Sequence, residues 1–159
     1  MLQERLNDAA IALHRVLEKT DVDFGIFGGH AVAAMGGLRM SKDVDCLVST
    51  SKDKIVELLN GKEGFVAFPQ NQPDYERFLW SDDKDLRNPV QVEIYCAEFP
   101  GSQHAMAGVR TDTLLIEGLS QGEGVSRFLE PFRVFKGKLS AAATRDARSK
   151  SAYYRRIAA

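Results

Sequence analysis

The segment that most restricts what this chain can fold into runs from Phe24 to Asp45, FGIFGGHAVAAMGGLRMSKDVD. It opens on a short apolar run, Phe24-Gly25-Ile26-Phe27, which Gly28-Gly29 stops. His30 to Met35 is alanine-rich and helix-prone until Gly36-Gly37 ends it, and Asp43 to Val48 reads as the next strand. The pattern is strand, tight turn, short helix, strand. On an extended strand successive side chains alternate faces, so Asp43 and Asp45 point one way while Val44 points into the core.

The rest of the chain continues the alternation. In residues 3–19, Leu6, Ala9, Ala10, Leu13, Val16 and Leu17 recur at helical spacing, with Glu4, Arg5, Asp8, Arg15 and Glu18 largely on the other side. Residues 51–59 read as a helix capped by Ser49, Thr50 or Ser51 and ended by Gly61. Phe65 to Phe68, Glu76 to Trp80 and Val90 to Ala97 are strand-like and separated by turn-rich stretches, which predicts hairpins extending the sheet. Thr113 to Ile116 is a further strand before a glycine-rich loop. Pro131 opens a predicted helix to about Arg145, followed by a basic helical tail. The order predicts an α/β (α+β) fold, a mixed β-sheet with helices packed against it, and one domain over residues 1–159.

Bulk properties exclude several classes. With 44% hydrophobic and 27% charged residues the composition is globular, and a formal charge of −1 gives no global field to draw the chain onto nucleic acid or an anionic membrane. No apolar run approaches membrane-spanning length and no signal-peptide pattern opens the chain, so a cytoplasmic location is expected. Cys46 and Cys96 lie in apolar strands without a CxxC, as reduced core thiols do. Walker A, GxGxxG after a strand and GxSxG are all missing, and His14, His30 and His104 lack zinc-site spacing. Asp82-Asp83-Lys84-Asp85 lacks EF-hand spacing and reads as a solvated loop.

The acidic residues carry the chemistry. Two carboxylates converging on one strand face repel, and a protein keeps such a pair where a cation, a basic partner or a shared proton compensates. Hard divalent ions such as Mg²⁺ take carboxylate oxygens together with substrate phosphates; the alternative is a solvated strand end. In Pro89-Val90-Gln91-Val92-Glu93-Ile94-Tyr95-Cys96 the apolar Val90, Val92, Ile94 and Cys96 share one face, while Gln91, Glu93 and Tyr95 share the other. If this strand lies beside Asp43–Val48, three carboxylates surround one or two metal ions; otherwise Glu93 is an exposed glutamate on a solvent-facing sheet. Gly28-Gly29 offers a backbone that a phosphate can approach closely, or a plain tight turn. His30 is either a ligand contact there or a structural first-turn histidine.

Together these parts resemble the nucleotidyltransferase superfamily, the DNA-polymerase-beta-like fold, whose pattern is Gly-Gly or Gly-Ser after a strand, a short helix, Asp-x-Asp on the next strand and a third acid later. The segment Arg39-Met40-Ser41-Lys42-Asp43-Val44-Asp45 is most similar to small fungal nucleotidyltransferase-like proteins and bacterial toxin-type relatives, with Ser41 where threonine is commoner and Glu93 where aspartate is usual. Phe132 to Arg145 resembles that branch's late helix, in which Lys138, Ala142 and Arg145 share a face; a solvated basic face is the alternative.

The resemblance implies transfer of a nucleoside monophosphate from an NTP, expected to be ATP, to an unidentified acceptor hydroxyl. It implies Mg²⁺ or Mn²⁺ on Asp43, Asp45 and Glu93, with phosphates held by Gly28, Gly29, His30, Arg39, Ser41, Lys138 and Arg145. Nucleic acid enters only as an acceptor. The alternatives are a non-catalytic nucleotide- or partner-binding member of the same fold and a redirected metal-dependent enzyme acting on a small molecule.

Overall fold

The computed structural model describes residues 2–37, 40–98, 106 and 109–130. The predicted helix from Pro131 to Arg145 and the basic tail lie outside the described residues. Within them the elements are α1 (Gln3–Leu17), β1 (Phe24–Phe27), α2 (Gly28–Ala34), β2 (Asp43–Val48), α3 (Lys52–Leu59), β3 (Phe65–Phe68), β4 (Tyr75–Trp80), β5 (Val90–Cys96), β6 (Thr111–Glu117) and β7 (Glu123–Leu129). The seven strands form one mixed sheet in the order β3-β4-β5-β2-β1-β7-β6. β2 pairs parallel with β5 and β1 parallel with β7, while the other neighbours are antiparallel. No helix among the described residues is long and apolar enough to cross a membrane.

The alternation of β2 and β5 divides the sheet into two faces. Val44, Cys46, Val48, Val92, Ile94 and Cys96 are fully buried on one of them, together with Phe24, Ile26, Phe78 and Phe128. Burying each large apolar side chain contributes about 1.5–3 kcal/mol, so this layer is the main source of stability. Cys46 and Cys96 are free thiols inside it, and burial pushes the Cys96 thiol up to about 12. Ser51 caps α3 by accepting from the Lys54 amide, and Ile55 and Leu59 anchor that helix.

Two elements depart from the sequence reading. β7 falls where a glycine-rich loop is expected. Gly122, at φ +68, forms the reversal between β6 and β7, and Gly124 lets the strand pass under α1, because a Cβ there would lie 2.9 Å from Ile11. These glycines belong to a hairpin and a helix crossing. Helix α1 is also not polar on one side, since Arg5, Asn7, Asp8 and His14 are buried along with its apolar residues. Its outer flank is covered by the loop after β4 and the β6–β7 turn.

That flank is held by polar contacts. Asp8, fully buried, accepts from the Ser120 amide at 3.1 Å, the Gln121 amide at 3.0 Å, the Ser120 hydroxyl at 3.1 Å and Arg5 at 3.2 Å. Arg5 also donates to the Asn88 carbonyl at 3.0 Å, pairs with Asp82 at 3.0 Å and lies 4.8 Å over the Trp80 ring. Removing one partner of such a network strands the others without water. Asp8→Ala should therefore lower unfolding free energy by about 3–5 kcal/mol in urea titrations, far more than an exposed aspartate would.

His30 is fully buried at the α1–α2 junction. Asn7 donates its amide to the Glu117 carbonyl at 2.8 Å, which turns Asn7 Oδ1 towards His30 Nε2 at 2.9 Å and places the imidazole proton on that nitrogen. The ring packs 5.6 Å from Phe128, and burial holds its pKa down at about 3 against an ordinary 6.5. Below pH 6.5 the unfolded chain takes up a proton that the folded chain refuses, so stability falls as pH drops from there towards 3. Unfolding free energies of His30→Gln from urea titrations should decline less steeply across this window than those of the parent, by up to about 1.4 kcal/mol per pH unit.

Candidate active site

The second face of the sheet carries the acids. Parallel pairing of β2 with β5 sets Asp43 opposite Gln91 and Asp45 opposite Glu93. Antiparallel pairing of β1 with β2 sets Phe27 opposite Asp45, and that of β4 with β5 sets Arg77 opposite Glu93 and Tyr75 opposite Tyr95. One carboxylate oxygen each from Asp43, Asp45 and Glu93 lies within 4.8 Å of the others. Asp45 and Glu93 are only 7% and 4% exposed, while Asp43 is half-buried at the strand entrance. The Ser41 hydroxyl donates to the Asp43 carbonyl at 2.9 Å and so orders the chain entering β2.

Beneath the carboxylates lies an aromatic wall. Tyr95 packs 5.7 Å from Phe27 and 5.1 Å from Tyr75. Burial and then the charges of Asp45 and Glu93 push the Tyr95 phenol far above its ordinary range. Tyr75 is pushed up to about 12, chiefly by burial and next by Glu93. Both phenols therefore stay protonated at neutral pH and act as neutral groups. A wall of low dielectric, in place of water beside clustered anions, strengthens their attraction for a cation.

Glu93 Oε1 accepts from the Tyr75 hydroxyl at 3.1 Å and from the Gln91 side-chain amide at 2.9 Å. The Tyr75 hydroxyl beside it, and next the charge of Glu93, push the Arg77 guanidinium above its ordinary range, so it stays protonated. Gly28 closes the opposite side. Its φ of +78 suits glycine, and a Cβ there would lie 2.7 Å from Asp45 Oδ2, so backbone meets carboxylate at this point. The helix starts at Gly28 itself, so the glycine pair is the first turn of α2 and not a separate turn before it.

The structure thus brings together Asp43, Asp45, Glu93 and Gly28, with the buried Gly29 in the same helical turn. It takes the His30 side chain away from them, into the contact with Asn7 and Phe128. Arg39, Lys138 and Arg145 lie outside the described residues. Among the described residues Tyr75, Arg77, Gln91 and Tyr95 also line this face, although sequence reading gives none of them a role in it. Alternation already sets Gln91 and Tyr95 on the face of Glu93. For Tyr75 and Arg77 the deciding signal is the register of β4 on β5, which alternation within one strand does not contain.

No family model matches this chain, and no curated protein matches it. Among solved structures it is similar to an antigenic nucleotidyltransferase-like protein from Paracoccidioides brasiliensis. The identity is 16% and the TM-score 0.59, with 96% of this chain and 73% of the other covered. It is also similar to a candidate nucleotidyltransferase from Thermotoga maritima, at 13% identity and a TM-score of 0.50, with 85% and 83% covered. At such identities the likeness is one of backbone architecture. The sheet that gathers Asp43, Asp45 and Glu93 is that of the nucleotidyltransferase-like fold.

Proposed function

We propose that this protein is a metal-dependent nucleotidyltransferase that moves a nucleoside monophosphate from an NTP to an acceptor hydroxyl. The observation that carries the reading is the convergence of three carboxylate oxygens within 4.8 Å on one sheet face of this fold. The donor set fits a hard divalent cation, Mg²⁺ or Mn²⁺, because all three ligands are carboxylate oxygens. Bound there, the ion supplies Lewis-acid stabilisation of the charge on the transferring phosphoryl group and on the leaving pyrophosphate.

The chain's own residues divide the remaining tasks. Asp43 and Asp45 hold the ion side of the NTP, and Glu93 takes the proton from the acceptor hydroxyl. The acceptor oxygen bonds to the α-phosphorus as the bond from that phosphorus to the bridging oxygen breaks, releasing pyrophosphate. The Gly28-Gly29 backbone receives phosphate oxygens, and Arg39, Lys138 and Arg145 serve as charge partners of the pyrophosphate. ATP is the expected donor, and a nucleic acid enters only as acceptor. His30 takes no part in the transfer, because its ring is fully buried against Asn7 and Phe128.

Radiolabelled NTPs incubated with Mg²⁺ and a panel of hydroxyl acceptors test the reading. The parent chain should yield labelled product, and Asp45→Asn should lose at least about 100-fold in rate while keeping its urea midpoint. Divalent-ion binding without turnover of any NTP would make the protein a binding member of the fold. Gly28→Ala probes the other side of the site. Its Cβ must displace Asp45 and its φ is unfavourable, so the variant should lose about 1–2 kcal/mol of stability and bind Mn²⁺ more weakly by calorimetry.

A further inference from the structure

Resting on that reading, we infer that Tyr75 and Gln91 are positioning residues that fix the third metal-ligating carboxylate, Glu93. Glutamate has one more rotatable bond than the aspartates beside it, so more freedom must be removed to hold its head group in place. Two donors arrive at it from different places. The Tyr75 hydroxyl reaches Glu93 Oε1 at 3.1 Å from the adjacent strand β4, and the Gln91 amide reaches the same oxygen at 2.9 Å from two residues earlier on β5. Two bonds from different directions pin that oxygen in place.

The donors suit a cation site. Both are neutral hydrogen-bond donors, which orient a carboxylate while leaving it ionised to ligate a cation. The phenol is itself held. Its ring packs 5.1 Å from Tyr95. Arg77, opposite Glu93 in the ladder, lies on the same face. Partners behind a metal ligand commonly change metal affinity by about 10–100-fold when removed.

The test is Mn²⁺ binding alone, measured by titration calorimetry on the full chain, with urea midpoints taken on the metal-free protein. Tyr75→Phe keeps the ring against Tyr95 and removes only the hydroxyl; Gln91→Leu removes the second donor. Each should weaken Mn²⁺ binding about 10-fold or more. Trp80→Phe, which deletes a 2.8 Å bond from the Trp80 indole to the Glu63 carbonyl on the other side of the sheet, should lower the urea midpoint without changing Mn²⁺ affinity. In the NTP assay the loss in the two clamp variants should fall on kcat more than on KM. Equal Mn²⁺ affinity in parent, Tyr75→Phe and Gln91→Leu, with binding still abolished by Asp45→Asn, overturns the clamp and leaves the metal site standing. Weakening by Trp80→Phe as large as that in the clamp variants also overturns it. No Mn²⁺ binding to the parent chain overturns both the clamp and the metal site.

Discussion

The parallel pairing of β2 with β5 is the constraint on which the rest of the site depends. It sets Asp45 directly beside Glu93, while alternation along β2 puts Asp43 on the same face. A slip of one residue would move Glu93 to the face occupied by Val44 and Ile94 and expose an apolar row instead. The register is therefore enforced by the hydrophobic layer, whose fully buried side chains tolerate no such exchange. Core packing on one face fixes charge placement on the other. The acids need no attraction for one another, because the strands that carry them are held by the residues between them.

Placement in the middle of the sheet adds a second effect. β2 and β5 each have a neighbour on both sides, so Asp45 and Glu93 sit between Phe27 on β1 and Arg77 on β4. Side chains flanked this way lose water more completely than side chains on an edge strand, as their low exposure shows. Tyr95, whose phenol is driven far up by burial and by the neighbouring carboxylates, registers the same environment from the inside. Poor solvation makes like charges costly to hold together and makes a divalent cation correspondingly welcome.

Much of this was readable from short-range pattern. The alternation in Asp43-Val44-Asp45 and in Val90 to Cys96 depends only on strand geometry, and both strands keep it. The helix of residues 52–59 was readable from its cap and its apolar spacing. What resisted reading is long-range. Gly122 and Gly124 resemble a loop until α1 is known to cross β7 and Gly122 to turn the hairpin. Arg5 and Asp8 resemble a solvated flank until the loops that cover them are in place. Tyr75 and Arg77 join the site only through the pairing of β4 with β5. His30 stands next to the glycine pair in sequence, yet Asn7, from the far end of α1, decides which way its ring turns.

Asp8 and Glu93 show why acidity alone says little about function. Both are buried, at 0% and 4% exposure. Asp8 has donors on each oxygen, with two backbone amides, a hydroxyl and a guanidinium converging on it, and these define a carboxylate whose role is to tie a turn to a helix. Around Glu93 the Tyr75 and Gln91 donors converge on Oε1, Arg77 stands opposite in the ladder, and two more carboxylates share the same face. Donors on both oxygens of Asp8 tie its carboxylate into the fold, whereas Glu93 shares its face with two further carboxylates, and such a cluster suits a divalent cation. The distinction lies in the charge and direction of the neighbours. It depends on tertiary contacts between strands and helices distant in sequence, so neither residue type nor burial reveals it.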